Sequence, residues 1–297
     1  MTQFDSSSLI GASLGDAKIL QETGRGHKGY VYLGFQATLK RQVAVKVLPK
    51  SAVSSQSEVC AFVDEARTIA GLVHPSIVPI YNVGETDVLF YQILQFVKGE
   101  NLNSIIEKRK KHPIAQKRVL PLNDIFNICE QILDALKYAH DEDIIHRDIK
   151  PSNILVDEDG RSYLCDFGIA YSKNDVNALG MNVILGSPVY ISPEQARGDA
   201  LDARADIYSM GMTMLKMISG DIPRKDESPE DVVRRKAHNP DSFFILPIEE
   251  IIPPDYDFFA PILRKSLSSD KEKRYFNAKE FLYDIKKLRG ELNDSGI

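Results

Sequence analysis

The chain has little of what would mark it as secreted, metal-binding, membrane-spanning or basic. Only three of its 297 residues are cysteines, Cys60, Cys129 and Cys165, and none stands in C-x-x-C spacing. An odd, scattered set argues against a disulfide framework and a zinc site, and for a reducing compartment in which each acts as a small hydrophobe. Positive charge is not in excess either: the formal net charge is -5, which gives no electrostatic case for nucleic acid as the main partner. Nowhere do eighteen apolar residues run together, and the opening "MTQFDSSSLIGASLG" has neither a basic n-region nor a long apolar h-region. On those grounds no membrane segment is expected and a cytoplasmic location is. Internal repeats and low-complexity tracts are also missing. With 43% hydrophobic residues, what remains is a globular chain, long enough for one two-lobed domain or two small ones.

Residues 1–15 are rich in Ser and Gly without clear periodicity and read as a tail or as a cover on the first strand. From Lys18 the pattern is strand, glycine turn, strand in "KILQETGRGHKGYVYLGFQ", then "QVAVKVL" ended by Pro49, which predicts consecutive antiparallel hairpins. "SEVCAFVDEARTIAGLV" sets Val59, Phe62, Val63, Ala66, Ile69 and Ala70 at helical spacing, so one helix is expected against that sheet. Strand-like runs at Ile77–Val83 and Val88–Leu94 lead to a short polar link at residues 97–100, where the lobe boundary is placed. Beyond it the pattern is mostly helical: Asn101–Lys110, Leu122–Asp141, "DIYSMGMTMLKMISG", a helix opening after Ser228, and "AKEFLYDIKKLRG". The run Lys108, Arg109, Lys110, Lys111, Lys117 and Arg118 could dock an acidic partner but reads first as a solvated loop.

The densest chemistry lies in "IIHRDIKPSNILV". Asp148, Lys150 and Asn153 set a carboxylate, an ammonium and an amide at spacings that suit phosphoryl transfer: a base, a phosphate cation and a metal ligand. "GRGHKGYV" supplies Gly24, Gly26 and Gly29 between two strands, where a missing Cβ lets backbone N–H groups approach phosphates. A dinucleotide-binding turn would lead into a helix, whereas Tyr30, Val31 and Tyr32 continue as a strand, which speaks against a dehydrogenase. Lys46, in the apolar run "VAVK", needs an anion, either phosphate or a helix carboxylate. Glu65 is preferred to Asp64 for that role because it lies beside the inward positions Phe62, Ala66 and Ile69. "LCDFGIA" adds Asp166 a short hairpin beyond Asn153, so two hard oxygen ligands can share Mg²⁺.

These segments, with "GSPVYISPE" and "DARADIYSMG", occur in the order and approximate spacing of one family. From about Lys18 to Leu288 the chain resembles the protein kinases of the Ser/Thr type, in particular the bacterial eukaryotic-like (Hanks-type) kinases. The resemblance implies an α+β class, bilobal protein kinase fold. It has a small antiparallel β-sheet N-lobe with one main helix (residues 16–96), a hinge (97–100) and a mainly helical C-lobe (101–290), with tails at 1–15 and 291–297. It implies transfer of the ATP γ-phosphate to protein Ser/Thr hydroxyls with Mg²⁺, Mn²⁺ being the alternative metal. Lys46 would bind the α- and β-phosphates and pair with Glu65, Asp148 would accept the hydroxyl proton, Lys150 would neutralise the γ-phosphate, and Asn153 and Asp166 would hold the metals. Gly24, Arg25, Gly26 and Gly29 would cover the phosphates. Adenine would lie between Val31 and Ala44 above and Leu155 below, bonded to the backbone at Gln95 and Val97, with Leu94 as gatekeeper. Ile69, Ile80, His146 and Phe167 would stack as a spine anchored by Asp206, Glu194 would pair with Arg274, and Cys165 would offer an alkylatable thiol behind the nucleotide.

The chain also departs from the family pattern. Gln95 replaces the usual hinge acid, Asn101 stands where many members carry a ribose-binding carboxylate, and Ser187 replaces a threonine. Between Gly168 and Ser187 there is no threonine, and Tyr171 and Ser172 are the only hydroxyls before the platform "GSPVYISPE". Arg147 therefore lacks the usual phosphothreonine partner, and activation without loop phosphorylation is expected, with Asp175 as a fixed anion or through contact with a partner or second copy; the alternative is that Ser172 or Ser187 takes over as phosphosite. A pseudokinase scaffold and a small-molecule kinase are the competing readings. The complete catalytic set opposes the first, and the platform, which seats a polypeptide in the family, opposes the second. A homodimer is left open.

Overall fold

The computed structural model of the chain describes residues 4–26, 29–53, 56–114, 118–167, 188–222 and 227–295. The chain divides into two compact units, Met1–Val73 with Ile77–Lys98 and His74–Ser76 with Gly99–Ile297. The division falls inside the expected hinge, after Lys98.

The first unit is built on a six-stranded antiparallel sheet. Its strands are β1 (Ser13–Leu14), β2 (Ala17–Gly26), β3 (Gly29–Gln36), β4 (Arg41–Pro49), β5 (Ile80–Glu85) and β6 (Leu89–Gln95), in the order β1-β2-β3-β4-β6-β5. Cross-strand partners in an antiparallel pair share a face. Tyr32, Val43, Val45, Val47, Tyr91 and Ile93 take one face and close a core with Leu14, Ala17 and Ile19. The registers Val31↔Lys46↔Gln92 and Leu33↔Ala44↔Leu94 put those six side chains on the other face. Helix α1 (Gln56–Ala70) buries Phe62, Ala66 and Ile69, and its Phe62 carbonyl accepts the Gln92 amide at 2.8 Å. Ala70, expected inward, is exposed in the last turn.

Residues 4–15 form the cover on the sheet rather than a loose tail. The Phe4 ring lies 5.4 Å from that of Tyr30, the Tyr32 hydroxyl donates to the Ser6 carbonyl at 3.0 Å, and Ser6 is buried. The strand expected from Ile77 begins at Ile80 instead, because Pro79 has no N–H to give. The Pro79 carbonyl accepts the Gln95 N–H at 3.0 Å, while Ile77, which makes an isolated bridge, and Val78 are buried outside any strand.

In the second unit a three-stranded sheet pairs β7 (Gly99–Asn101), β8 (Ile154–Asp157) and β9 (Ser162–Leu164). The link read as a polar connection thus contributes a strand, and Gly99 is what permits it: a Cβ there would stand 2.0 Å from the Val156 carbonyl oxygen. Helices α2 (Leu102–Lys110) and α3 (Leu122–Asp141) follow the periodicity of the sequence. They are joined by α4 (Pro193–Arg197), α5 (Arg204–Ser219), α6 (Pro229–His238), α7 (Ile248–Ile251), α8 (Ala260–Ser266) and α9 (Ala278–Asp294). Helix α5 is buried nearly throughout, with Met210, Met212, Met214 and Met217 fully enclosed, as its all-round apolar pattern predicts. Helix α9 continues past residue 290 and buries Leu292, so the segment taken as a C-terminal tail begins as helix.

Four cations of the basic run find partners within their own unit, and Lys111 is exposed. Lys108 pairs with Glu100, Lys110 with Asp221 at 3.0 Å, Arg109 donates to the Val119 carbonyl at 3.3 Å, and Arg118 to that of His112 at 3.0 Å. Lys117 lies outside the described residues. Among the described residues no helix is long and apolar enough to cross a membrane.

Candidate active site

The second unit's chemistry is organised by Asp206, fully buried in the first turn of α5. Its carboxylate accepts the backbone N–H of His146 and of Arg147, each at 2.8 Å, and meets His140 Nε2 at 2.8 Å. Burial alone would raise its pKa. The bond and charge of His140 and the Arg147 N–H outweigh that and hold it below the usual carboxylate value. Arg147 needs such a hold, because its φ of 68° is a left-handed conformation that L side chains rarely adopt. Its carbonyl accepts the Gln195 amide at 2.8 Å, so both backbone polar groups of this residue are held.

His146 beside it is buried, and desolvation depresses its pKa below the ordinary imidazole value. Its Nδ1 accepts the Asp148 N–H at 3.2 Å, which leaves the proton on Nε2 to donate to the Cys165 carbonyl at 3.1 Å. The ring packs on Phe167 at 4.3 Å, the half of the expected spine that lies in this unit. One neutral tautomer therefore ties the Asp148 backbone to the segment that carries Asp166.

Asp148, Lys150 and Asn153 come together as the spacing predicted. Lys150 Nζ lies 2.6 Å from Asp148 Oδ2, and the Asn153 amide donates to the same oxygen at 2.9 Å and to the Asp148 carbonyl at 2.8 Å. Both side-chain donors land on Oδ2, leaving Oδ1 of a partly exposed carboxylate without a hydrogen bond among the described residues. Asn153 is buried in a single turn over Pro151–Asn153, and its carbonyl accepts both the Cys165 N–H at 3.0 Å and the Cys165 thiol at 3.4 Å. That staple closes the β8–β9 hairpin and brings Asp166, exposed and at φ 56°, to the same end as Asn153. Cys165 is thus a half-buried donor inside the hairpin.

This donor set fits a hydrated divalent cation. The Asn153 amide nitrogen is bonded to Asp148, so its Oδ1, which accepts the Ser152 hydroxyl at 3.3 Å, is the hard oxygen that remains to serve a cation with Asp166. Among the described residues no group of three or more His, Cys, Asp or Glu could hold a metal.

In the first unit Val31, Ala44, Lys46 and Leu94 are half-buried on the sheet face opposite the core. The Gln95 N–H is committed to Pro79, Val97 lies half-buried beyond the end of β6, and Leu155 of the second unit is half-buried in β8 opposite Tyr163. The glycines divide into different roles. A Cβ on Gly24 would meet nothing within 4 Å, whereas one on Gly29 would stand 2.0 Å from the Val47 carbonyl oxygen. Gly29 is therefore required by the approach of β3 to β4, a reason independent of phosphate. The Arg25 side chain bonds Glu22 at 3.1 Å and Ser6 at 3.0 Å and covers the Tyr30 ring. Gly26 ends the described part of β2, and the Glu65 side chain lies outside the described residues, as do Gly168, Tyr171, Ser172, Asp175 and Ser187.

Asn101 caps α2, its Oδ1 accepting the Ser104 N–H at 2.9 Å, which gives a structural reason for an amide at that position. Glu194 and Arg274 form the expected pair, buried and bidentate at 2.6 and 2.8 Å. The remaining Arg274 donors reach the carbonyls of Ser268, Arg204 and Ser269. Gln195, Ser209 and Lys236 escaped the sequence reading. The first was legible, since "SPEQ" is a capping box: the Ser192 hydroxyl accepts the Gln195 N–H and the Gln195 side chain accepts that of Ser192.

A family model described as protein kinase domain matches residues 17–284. A probable serine/threonine-protein kinase of Clostridium perfringens is 34% identical over 290 residues, covering 96% of this chain and 40% of that protein. Serine/threonine-protein kinase PrkC of Bacillus subtilis is 34% identical over 281 residues, covering 94% and 41%. The chain thus spans about two fifths of the length of these relatives. Among solved structures the kinase domain of Mycobacterium tuberculosis PknI matches with a TM-score of 0.72 at 23% identity, over 94% of this chain and 98% of that one, a likeness of fold.

Proposed function

Because the chain belongs to the protein kinase domain family, we propose that it is a Ser/Thr protein kinase using ATP and Mg²⁺, with polypeptide hydroxyls as acceptors and the cytoplasm as its place of work. The observation that carries this reading is the state of Asp148. Lys150 and Asn153 hold Oδ2, while Oδ1 carries no hydrogen bond among the described residues and can receive the proton of an incoming hydroxyl. His146 and Asp206 fix the backbone on either side of Arg147, so the carboxylate is positioned before any substrate arrives.

ATP with its cation supplies the transferable phosphoryl group and neutralises its charge. Asn153 and Asp166 would hold the cation, Mn²⁺ being able to replace Mg²⁺, and Lys150 would face the γ-phosphate. In the first unit Lys46 would take the inner phosphates, with Gly24, Arg25 and Gly26 offering backbone donors and Val31, Ala44 and Leu94 an apolar cover. Without a carboxylate at Asn101 or Ser152 no bidentate guanidinium pairing forms there, so upstream arginine should not govern substrate choice. Incubation with radiolabelled ATP and a generic protein, followed by phosphoamino-acid analysis, tests the reading. Label on Ser or Thr that disappears in Lys46→Met supports it, and label on small molecules alone refutes it.

A further inference from the structure

The stretch Val189–Ile191 belongs to no helix or strand, so its carbonyls must be satisfied by other groups. Side chains from two helices do this. Lys236 of α6 donates to the carbonyls of Val189 and Ile191, the latter at 2.8 Å, and the Ser209 hydroxyl of α5 donates to that of Tyr190 at 2.8 Å. The Gln195 side chain accepts the next N–H, that of Ser192, at 3.0 Å and donates onward to the Arg147 carbonyl.

Lys236 is the unusual member. It is fully buried, with Nζ 4.7 Å from the Tyr208 ring centroid, 4.4 Å from that of Phe243 and 3.3 Å from the Tyr208 hydroxyl. Among the described residues no carboxylate forms an ion pair with it. Burial, reinforced by Arg274 and opposed by Glu194, pushes its pKa well below the usual lysine range. Its charge is therefore penalised at this position, and a Met of similar volume would avoid the penalty. What Met lacks is a set of N–H donors: the carbonyls of Val189 and Ile191 take two, a number that ammonium and neutral amine can both supply, and the Tyr208 hydroxyl completes the shell around the nitrogen.

We propose that Lys236 is a positioning residue for the acceptor: by fixing the carbonyls of Val189 and Ile191 it sets the backbone against which a polypeptide substrate lies. The proposal rests on the protein-kinase reading and names the part of that site which acts on the acceptor and not on the nucleotide.

Steady-state kinetics of the full chain with a Ser/Thr peptide tests it. Lys236→Met should raise KM for the peptide about tenfold, the equivalent of a lost buried hydrogen bond or more, and leave KM for ATP within about twofold. Ser209→Ala, which removes the partner of the Tyr190 carbonyl and a second contact with the Ala205 carbonyl of its own helix, should show the same split at about threefold and carries the test if Lys236→Met does not fold. Unchanged peptide KM in a folded variant, or equal rises in both KM values, would overturn the proposal. A wild-type chain that phosphorylates no polypeptide would overturn the kinase reading itself, and the proposal with it.

Discussion

The Asp206 carboxylate takes the backbone N–H of Arg147 at 2.8 Å, across a residue held at φ 68°. A left-handed non-glycine residue costs on the order of 1–3 kcal/mol and persists where its surroundings over-determine it. Here those surroundings are Asp206 on the N–H and Gln195 on the carbonyl, one residue before Asp148. Asp206→Asn replaces one acceptor oxygen by a donor that faces an N–H. The expected result is a loss of about 3 kcal/mol in stability, with kcat falling at least about a hundredfold and KM for ATP little changed. Thermal melting and steady-state kinetics check it, and a variant with wild-type melting and turnover would remove Asp206 from this role.

Acid should loosen the same turn. His146 has a folded pKa below its ordinary 6.5, so its contribution to stability is complete above pH 6.5 and is lost as pH falls through the lower, folded value. Asp206 is likewise depressed from 3.8, and its contribution is lost in turn at more acidic pH. Urea midpoints measured from pH 7.5 down to pH 4 should therefore fall with pH, and His146→Gln should flatten the upper part of that slope. A wild-type midpoint that is constant over the range would contradict the buried, neutral imidazole.

Gly24 and Gly29 of the β2–β3 hairpin should respond differently to a methyl group. Gly29→Ala drives a Cβ to 2.0 Å from the Val47 oxygen, and the backbone shift that relieves it should destabilise by about 1–3 kcal/mol. Gly24→Ala enters open space and should leave stability within about 0.5 kcal/mol, while weakening ATP binding if the phosphates lie over it. Paired melting curves and nucleotide titrations separate the two, and equal melting points would show that the hairpin absorbs both changes.

Arg274 places all its donors in a buried site, two of them on Glu194. Arg274→Ala leaves that carboxylate buried and unpaired and should cost about 3–5 kcal/mol. Arg274→Lys should recover little of it, because an ammonium cannot make the bidentate contact. Chemical denaturation is the measurement, and full recovery by Lys would mean that charge alone matters here.

What could be read from the sequence depended on how each residue is held. Long periodic stretches such as Leu122–Asp141 and the apolar run containing Met210–Met217 declared themselves, because one repeated pattern reports one buried face. Asp148, Lys150 and Asn153 were legible because their contacts lie within one short loop. Strand β7 was not, since it is three residues long, polar, and defined by its pairing with β8. Lys236 was not legible either. In "DVVRRKAH" it reads as one more solvated cation, and only the fold places the carbonyls of Val189 and Ile191 beside it. A second reason for Gly29 was hidden for the same cause: the Val47 carbonyl that forbids a side chain belongs to the neighbouring strand.

The central claim is that Asp148 serves as base for a Ser/Thr hydroxyl, and its most direct test is the initial rate of labelled phosphate transfer from ATP to a Ser/Thr peptide by wild type and Asp148→Asn. The variant should turn over about 10²- to 10⁴-fold more slowly, with nucleotide affinity within about threefold of wild type. Equal turnover by the two proteins would contradict the account.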